Sequence, residues 1–480
     1  PDCLLDISTI VSCFEDYGHH PLLYLVSRMR ERANNQAILL GNFAGSALDD
    51  IINQPDFNMS RTLIRNFREK ALEYATCPDF DGNEFKQNAA SQIEHLKQII
   101  HELRQHFDLS KAVLEPTFVC EKLGIQGRVD LMTTDLRLLV EQKSGRNIFL
   151  ERSIRNCHGT LMVEKHYVQV LLYFGILFYN FNLSDTDIRL LYSRYALPDG
   201  LLSVANLMTL VYEALRFRNE AVALEFDIAE RGLQHLLPLL TPETMNVNGM
   251  RDFFYERYLL PQLQEVLVPL QKMSPLEQAY FCRMMQFVIR ENIMSKVGVN
   301  EGIGNSVANL WNMPLSEKRE TGNIYTHLTI THKEKDDDGD ELNGYDIITL
   351  AIPEQGNDFL PNFRRGDMVF LYSYPEDEEP DVRKALLFKG GIAALNSSSI
   401  TIKLTDGQQN ADIFNQLPYN VTGSKNVSMA RAGGKRVWCI EHASSDVGGS
   451  AGIRALYTFV TSTESRKQLL LSQREPKADT

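Results

Sequence analysis

The sequence predicts an α+β protein of several domains, and three observations carry that reading. The 480 residues exceed one ordinary core, given roughly 100–200 residues per domain. The apolar period switches from helical to two near residue 113, returns to helical after Pro198, and becomes two again from Gly322. The 44% hydrophobic and 23% charged fractions match globular averages, which excludes a disordered or fibrous chain. The domains expected from these switches are an α/β or α+β domain over 1–197, a helical stalk or spacer over 198–320, a small β-barrel over 321–445, and a helix within 446–480.

The first stretch is mainly helical, with Leu22, Leu23, Val26 and Met29 at helix spacing. Arg61, Arg65 and Arg68 share one face of a helix for which Ser60 is the cap candidate, and alone they read as a solvated stripe. Strands are expected over Val113–Glu121, Ile125–Met132 and Arg137–Lys143, with Thr133 to Asp135 as the tight turn of an antiparallel meander. A long apolar helix, Leu161–Phe181, and a strand, Ile188–Arg194, complete the domain. In the spacer, Ser274-Pro275-Leu276-Glu277 has the residues of a capping box with proline at the first helical position. The barrel strands are expected over 324–333, 346–352, 367–373, 384–389, 399–405 and 436–441, and a helix over 453–473.

Forty-nine basic against 62 acidic residues give a net charge of −13, so any contact with nucleic acid must be local. The longest nearly apolar run, Val170 to Tyr179, is too short for a membrane-spanning helix, and Asp2 and Asp6 stand where a secretory signal is basic. Seven scattered cysteines without a Cys-x-x-Cys pair predict reduced thiols and a cytoplasmic location. The acidic run Asp336 to Asp340 lacks a calcium loop's final glutamate, Tyr345 standing in its place, and reads as a solvated hairpin turn.

The chemistry concentrates in Gly127-Arg128-Val129-Asp130 and, across a hairpin, Glu141-Gln142-Lys143. Strand alternation puts Glu141 and Lys143 on one face, within reach of Asp130 on the neighbouring strand. Gln169 and Tyr173 follow four residues apart on one face of an apolar helix, where polar groups need partners.

These elements, in this order over Gly127 to Tyr173, resemble the PD-(D/E)XK nuclease superfamily and its RecB-like branch. The resemblance implies a restriction-endonuclease-like core and an enzyme that hydrolyses DNA with Mg²⁺ or Mn²⁺. It implies that Asp130, Glu141 and the main-chain carbonyl of Gln142 hold the metal and that Lys143 orients the nucleophile. Gln169, Tyr173, Arg128 and Arg146 would bind DNA, with Arg152 and Arg155 as further local positive charge. The family's upstream Gly-Thr-x-x-His is matched only by Gly41-Asn42-Phe43-Ala44-Gly45, so Asp49 or Glu115 is the candidate for a second metal position. Relatives with an iron–sulfur cluster carry three cysteines after the helix; here only Cys282 and Cys439 follow Tyr173, and no cluster is expected.

The order nuclease, stalk and barrel is similar to the amino-terminal half of nuclease–helicases that trim replication flaps. It implies a single-stranded or flap DNA substrate in replication or repair, and a carboxy-terminal helicase motor as partner. Gly434-Lys435 has Met429 and Arg436 where a P-loop needs Gly and Ser or Thr, so no ATP site is expected in this chain. As a fragment of such a protein it would expose Leu456, Phe459 and Leu469 as a docking surface. The alternative is an inactive nuclease fold kept as a DNA-binding or scaffolding module.

Overall fold

The computed structural model describes residues 3–30, 34–54, 56–145, 153–155, 161–298, 306–335, 345–356, 359–415, 435–443 and 447–476. The protein is mixed α+β and divides into two compact units. One comprises residues 1–32, 209–308 and 445–480; the other comprises 33–208 and 309–444. The division crosses the boundaries read from the sequence, because residues 1–32 group with the helical middle of the chain and not with the α/β segment that follows them.

The helical unit is a packed body where the sequence suggests a spacer. Its long helix Pro275–Val297 opens with the capping box: Ser274 Oγ accepts from the Glu277 N–H at 3.4 Å, and Glu277 Oε2 accepts from the Ser274 N–H at 2.8 Å. Leu23, Val26 and Met29, on the helix Leu23–Met29, are buried as their spacing requires. The helix Val447–Thr461 packs back into the same unit, with the Tyr457 hydroxyl donating to Glu265 O at 2.9 Å and the Phe459 ring 4.9 Å from that of Tyr280. The expected docking surface is corrected accordingly. Leu456 and Phe459 are 8% and 6% exposed because this helix finds its apolar partners within the unit, and of the three residues only Leu469 is exposed. Among the described residues no helix is long and apolar enough to cross a membrane.

The second unit carries the α/β region and the barrel. Its longest helices are α1 (Gln36–Asn53), α2 (Met59–Glu69), α3 (Gly82–His106) and α4 (Glu164–Phe181). Asn58, and not Ser60, caps α2, its side chain accepting from the Ser60 and Arg61 N–H groups. The strands that build its sheets around the site are β1 (Ala112–Leu114), β2 (Thr117–Cys120), β3 (Ile125–Arg128), β4 (Leu131–Thr133), β5 (Leu138–Lys143), β6 (Asp187–Tyr192) and β7 (Leu201–Ser203); a separate short pair, Ser153–Arg155 and Leu161–Val163, takes the first residues of the helix expected from Leu161.

Five of these form a sheet in the order β7-β6-β5-β4-β1. The expected meander is only its antiparallel part: β6 returns through α4 to lie parallel to β5, from Asp187 opposite Leu138 to Tyr192 opposite Lys143. Leu39, Phe43, Leu96, Ile100, Leu138 and Val140 belong to the core between the sheet and the first helices.

Two expected strands are each broken in two. Glu115 adopts φ +53°, a left-handed conformation that ends β1, and Pro116 has no N–H to continue the ladder. Opposite them Val129 and Asp130 interrupt the partner strand. The bend is tied by Glu115 N–H to Asp130 O and by Val129 N–H to Pro116 O, both at 3.1 Å. The two candidate carboxylates therefore sit at one shared corner.

The barrel consists of β8 (Ile324–Lys335), β9 (Tyr345–Ala351), β10 (Met368–Pro375), β11 (Phe388–Leu395), β12 (Ser399–Gln408) and β13 (Arg436–His442). It closes in the order β8-β9-β12-β11-β10-β13, with β13 pairing back onto β8. The strand expected over 384–389 lies further along because Val382–Lys384 form a 3-10 turn, capped by the Asp381 side chain accepting the Arg383 N–H. The run Asp336 to Asp340 lies outside the described residues.

Candidate functional site

The corner of the sheet opens into a cleft of about 840 Å³. Asp49 from α1, Glu115 and Asp130 from the bend and Asp406 from the barrel line its acidic side, while Arg65 and Lys143 line it with positive charge. Gly45 also faces it, and a Cβ added there meets nothing within 4 Å.

Alternation along β5 puts Glu141 and Lys143 on one face, and the Lys143 ammonium donates to Glu141 Oε1 at 2.8 Å. Gln169, one turn above Tyr173 on α4, donates to the same oxygen at 2.6 Å. Glu141 is 3% exposed, and its other oxygen, Oε2, is buried with no hydrogen-bond partner. Asp130 accepts the Gln142 N–H at 2.6 Å. The Tyr173 hydroxyl, on a side chain 2% exposed, donates to Arg128 O at 2.7 Å and so holds the strand from behind.

Burial dominates the titration of this cluster. It pushes the Glu141 carboxyl up to about 8, with the neighbouring charge of Asp130 adding to it. Glu115 is pushed up to about 9 by burial and then by Asp130, and Asp49 and Asp130 are raised for the same first reason. Burial works against the charge of Lys143, but Glu141 and Asp130 more than offset it and keep the ammonium charged. His166, at the start of α4, is lowered to about 3 by burial and by the Lys143 charge, so it is neutral at ordinary pH.

The structure thus brings Asp130, Glu141, Gln142, Lys143, Gln169, Tyr173 and Arg128 to one place. Arg128 is already engaged: its guanidinium lies 2.8 Å from Glu115 Oε2 and 2.9 Å from Asp406 Oδ2. Arg146 and Arg152 lie outside the described residues. Both candidates for the second metal position, Asp49 and Glu115, line the cleft. Among the described residues no three His, Cys, Asp or Glu side chains stand together as a ready metal-ligand group. The donors that fit a hard divalent cation are the Asp130 and Glu141 carboxylates, since Glu141 Oε2 is otherwise without a partner.

Sequence reasoning missed three contributors. Arg65, in a stripe read as solvated, is 5% exposed and forms a bidentate pair with the fully buried Asp50, both bonds 3.0 Å. Its signal was available as an acidic residue in a neighbouring apolar helix. Asp406 and Gln408 come from the barrel, and nothing local marks them. Neither protein-family models nor curated proteins yield a match to this chain.

Proposed function

We propose that this cleft hydrolyses phosphodiester bonds of DNA, with single-stranded or flap DNA as substrate. The observation that carries the reading is the Glu141 carboxylate, buried beside Asp130 and Lys143 with one oxygen unsatisfied. A buried carboxylate oxygen without a donor is costly, and a bound cation is the partner that the donor set suits. Asp130 and Glu141, with the Gln142 main-chain carbonyl, would hold Mg²⁺ or Mn²⁺, which when bound neutralises phosphate charge and lowers the pKa of the attacking water. The charged Lys143 ammonium faces the cleft and stabilises negative charge developing on the phosphate. Gln169 fixes the Glu141 carboxylate through its amide, and Tyr173 fixes the strand through Arg128 O.

The test is digestion of labelled single-stranded DNA by the full chain. Cleavage is expected with Mg²⁺ or Mn²⁺, lost in EDTA, and cut by roughly 10²-fold or more in Lys143→Ala. A second reading, an inactive nuclease fold that binds DNA, is favoured by Gly45, where the family's upstream motif has histidine. It predicts DNA binding with no metal-dependent cleavage in the same assay.

A further inference from the structure

Glu115 cannot be held by its own strand. Its backbone is left-handed at φ +53°, a conformation that a glutamate keeps only when its surroundings fix it. The strand before it, β1, is an edge strand of three residues. Beside the two backbone bonds of the bend itself, a further hold comes from nearly 300 residues away. Gln408, at the end of β12 and 1% exposed, accepts the Leu114 N–H at 2.9 Å and donates to Leu114 O at 2.8 Å. One side-chain amide thus holds both backbone groups of the residue next to Glu115.

Two positions earlier on the same barrel strand, Asp406 accepts from Arg128 Nη1 at 2.9 Å. Arg128 Nε lies 2.8 Å from Glu115 Oε2 as an ion pair without hydrogen-bond alignment, and that oxygen has no other partner. Arg128 is therefore suspended between a barrel carboxylate and a carboxylate of the bend. The Asn410 amide adds a bond to Ser110 O at 3.2 Å, and Thr117 and Leu387 exchange backbone bonds at 3.0 and 3.2 Å.

We propose that Asp406 and Gln408 are positioning residues of the cleft: Gln408 sets the bend that carries Glu115 and Asp130, and Asp406 sets Arg128 beside it, so that cation binding depends on the barrel. The inference rests on the nuclease reading. A residue that acts through the orientation of ligands, and not by touching the reacting atoms, typically changes metal affinity by 10- to 100-fold.

The experiment measures Mn²⁺ binding by calorimetry, thermal unfolding, and DNA cleavage against Mn²⁺ concentration, for the parent, Asp406→Ala, Asp406→Glu and Gln408→Ala. Asp406→Ala and Gln408→Ala are expected to weaken Mn²⁺ binding by on the order of 10-fold, with most of the turnover recovered at saturating Mn²⁺. Asp406→Glu, which keeps the carboxylate, is expected to recover part of the affinity. Should Gln408→Ala fail to fold, the two Asp406 variants decide. A loss of melting temperature at unchanged Mn²⁺ affinity, or no change at all in a parent that binds Mn²⁺ and cleaves DNA, overturns this inference alone. A parent that neither binds Mn²⁺ nor cleaves DNA overturns the nuclease reading and this inference with it.

Discussion

Two glutamates, one beneath the cleft and one in the barrel wall, show where two buried carboxylates of similar surroundings differ. Glu141 and Glu441 are 3% and 2% exposed, each lies on a strand, each is paired with a lysine, and burial raises the pKa of both. Glu441 has both oxygens satisfied: Lys318 donates to Oε2 at 2.5 Å and the Tyr372 hydroxyl donates to Oε1. Lys318 is in turn held by Leu310 O at 2.8 Å. Glu141 shares one oxygen between Lys143 and Gln169 and leaves the other without a partner. The difference lies in the hydrogen-bond shell and not in burial or a raised pKa; Glu225, in the helical unit, also has a buried oxygen without a partner, so an open shell points to a role only where other site residues stand beside it.

The largest expected effect is on activity. Glu141→Gln should lower cleavage by orders of magnitude while leaving the chain folded, because the amide oxygen can still accept from Lys143 and Gln169 while the anionic oxygen is lost. Equal cleavage by this variant and the parent would break the comparison at once. Glu441→Ala should show the opposite pattern. It leaves the buried Lys318 unpaired and should cost about 3–5 kcal/mol of stability, with cleavage per folded molecule unchanged. Denaturant unfolding beside a single-turnover assay reads both.

A pH series sharpens the comparison further. Glu141 and Glu115, raised from 4.5 to about 8 and about 9, remain protonated in the folded, cation-free protein where an unfolded chain would ionise them. The stability they contribute is fully present below about pH 4.5 and drains away as pH rises through 8 and 9. Melting temperatures in EDTA at about pH 5, 7 and 9 should therefore fall, and Mn²⁺ should restore most of the loss at the top of that range. A flat profile in EDTA would mean that these carboxylates are already ionised.

The smallest effect concerns Gly45, in the interior of α1 with open space at its Cβ. Gly45→Ala should raise stability by about 0.5–1 kcal/mol through helix propensity alone. Gly45→His should gain less stability than Gly45→Ala, since histidine is the poorer helix former, and should bind Mn²⁺ more tightly than Gly45→Ala in calorimetry.

Much of this was legible because it is local. Strand alternation along Leu138–Lys143 places Glu141 and Lys143 on one face, and the Ser274 box starts its helix where the residues predict. Five of the six barrel strands also fall close to where turn residues bound them. The bend at Glu115 was less so: Pro116 announces a break, but a left-handed glutamate carries no sequence signature, and the tertiary contacts that hold it are silent in any window. The same holds for residues 1–32, whose helix Leu23–Met29 is apolar enough to tell that it packs but not on what. The nuclease reading draws on the resemblance of Gly127 to Tyr173 to a known family, and the open oxygen of Glu141 is the geometric observation that supports it.

The amide of Gln408 has one further consequence. It offers β1 the donor and acceptor that one residue of a neighbouring strand would offer, at the outer edge of the five-stranded sheet. A side chain thus stands in for a strand, and the sheet ends there with its last backbone pair spoken for. An edge closed in this way gives another chain nothing to extend at Leu114, so the Gln408 amide also guards this flank against strand addition and the aggregation that follows from it.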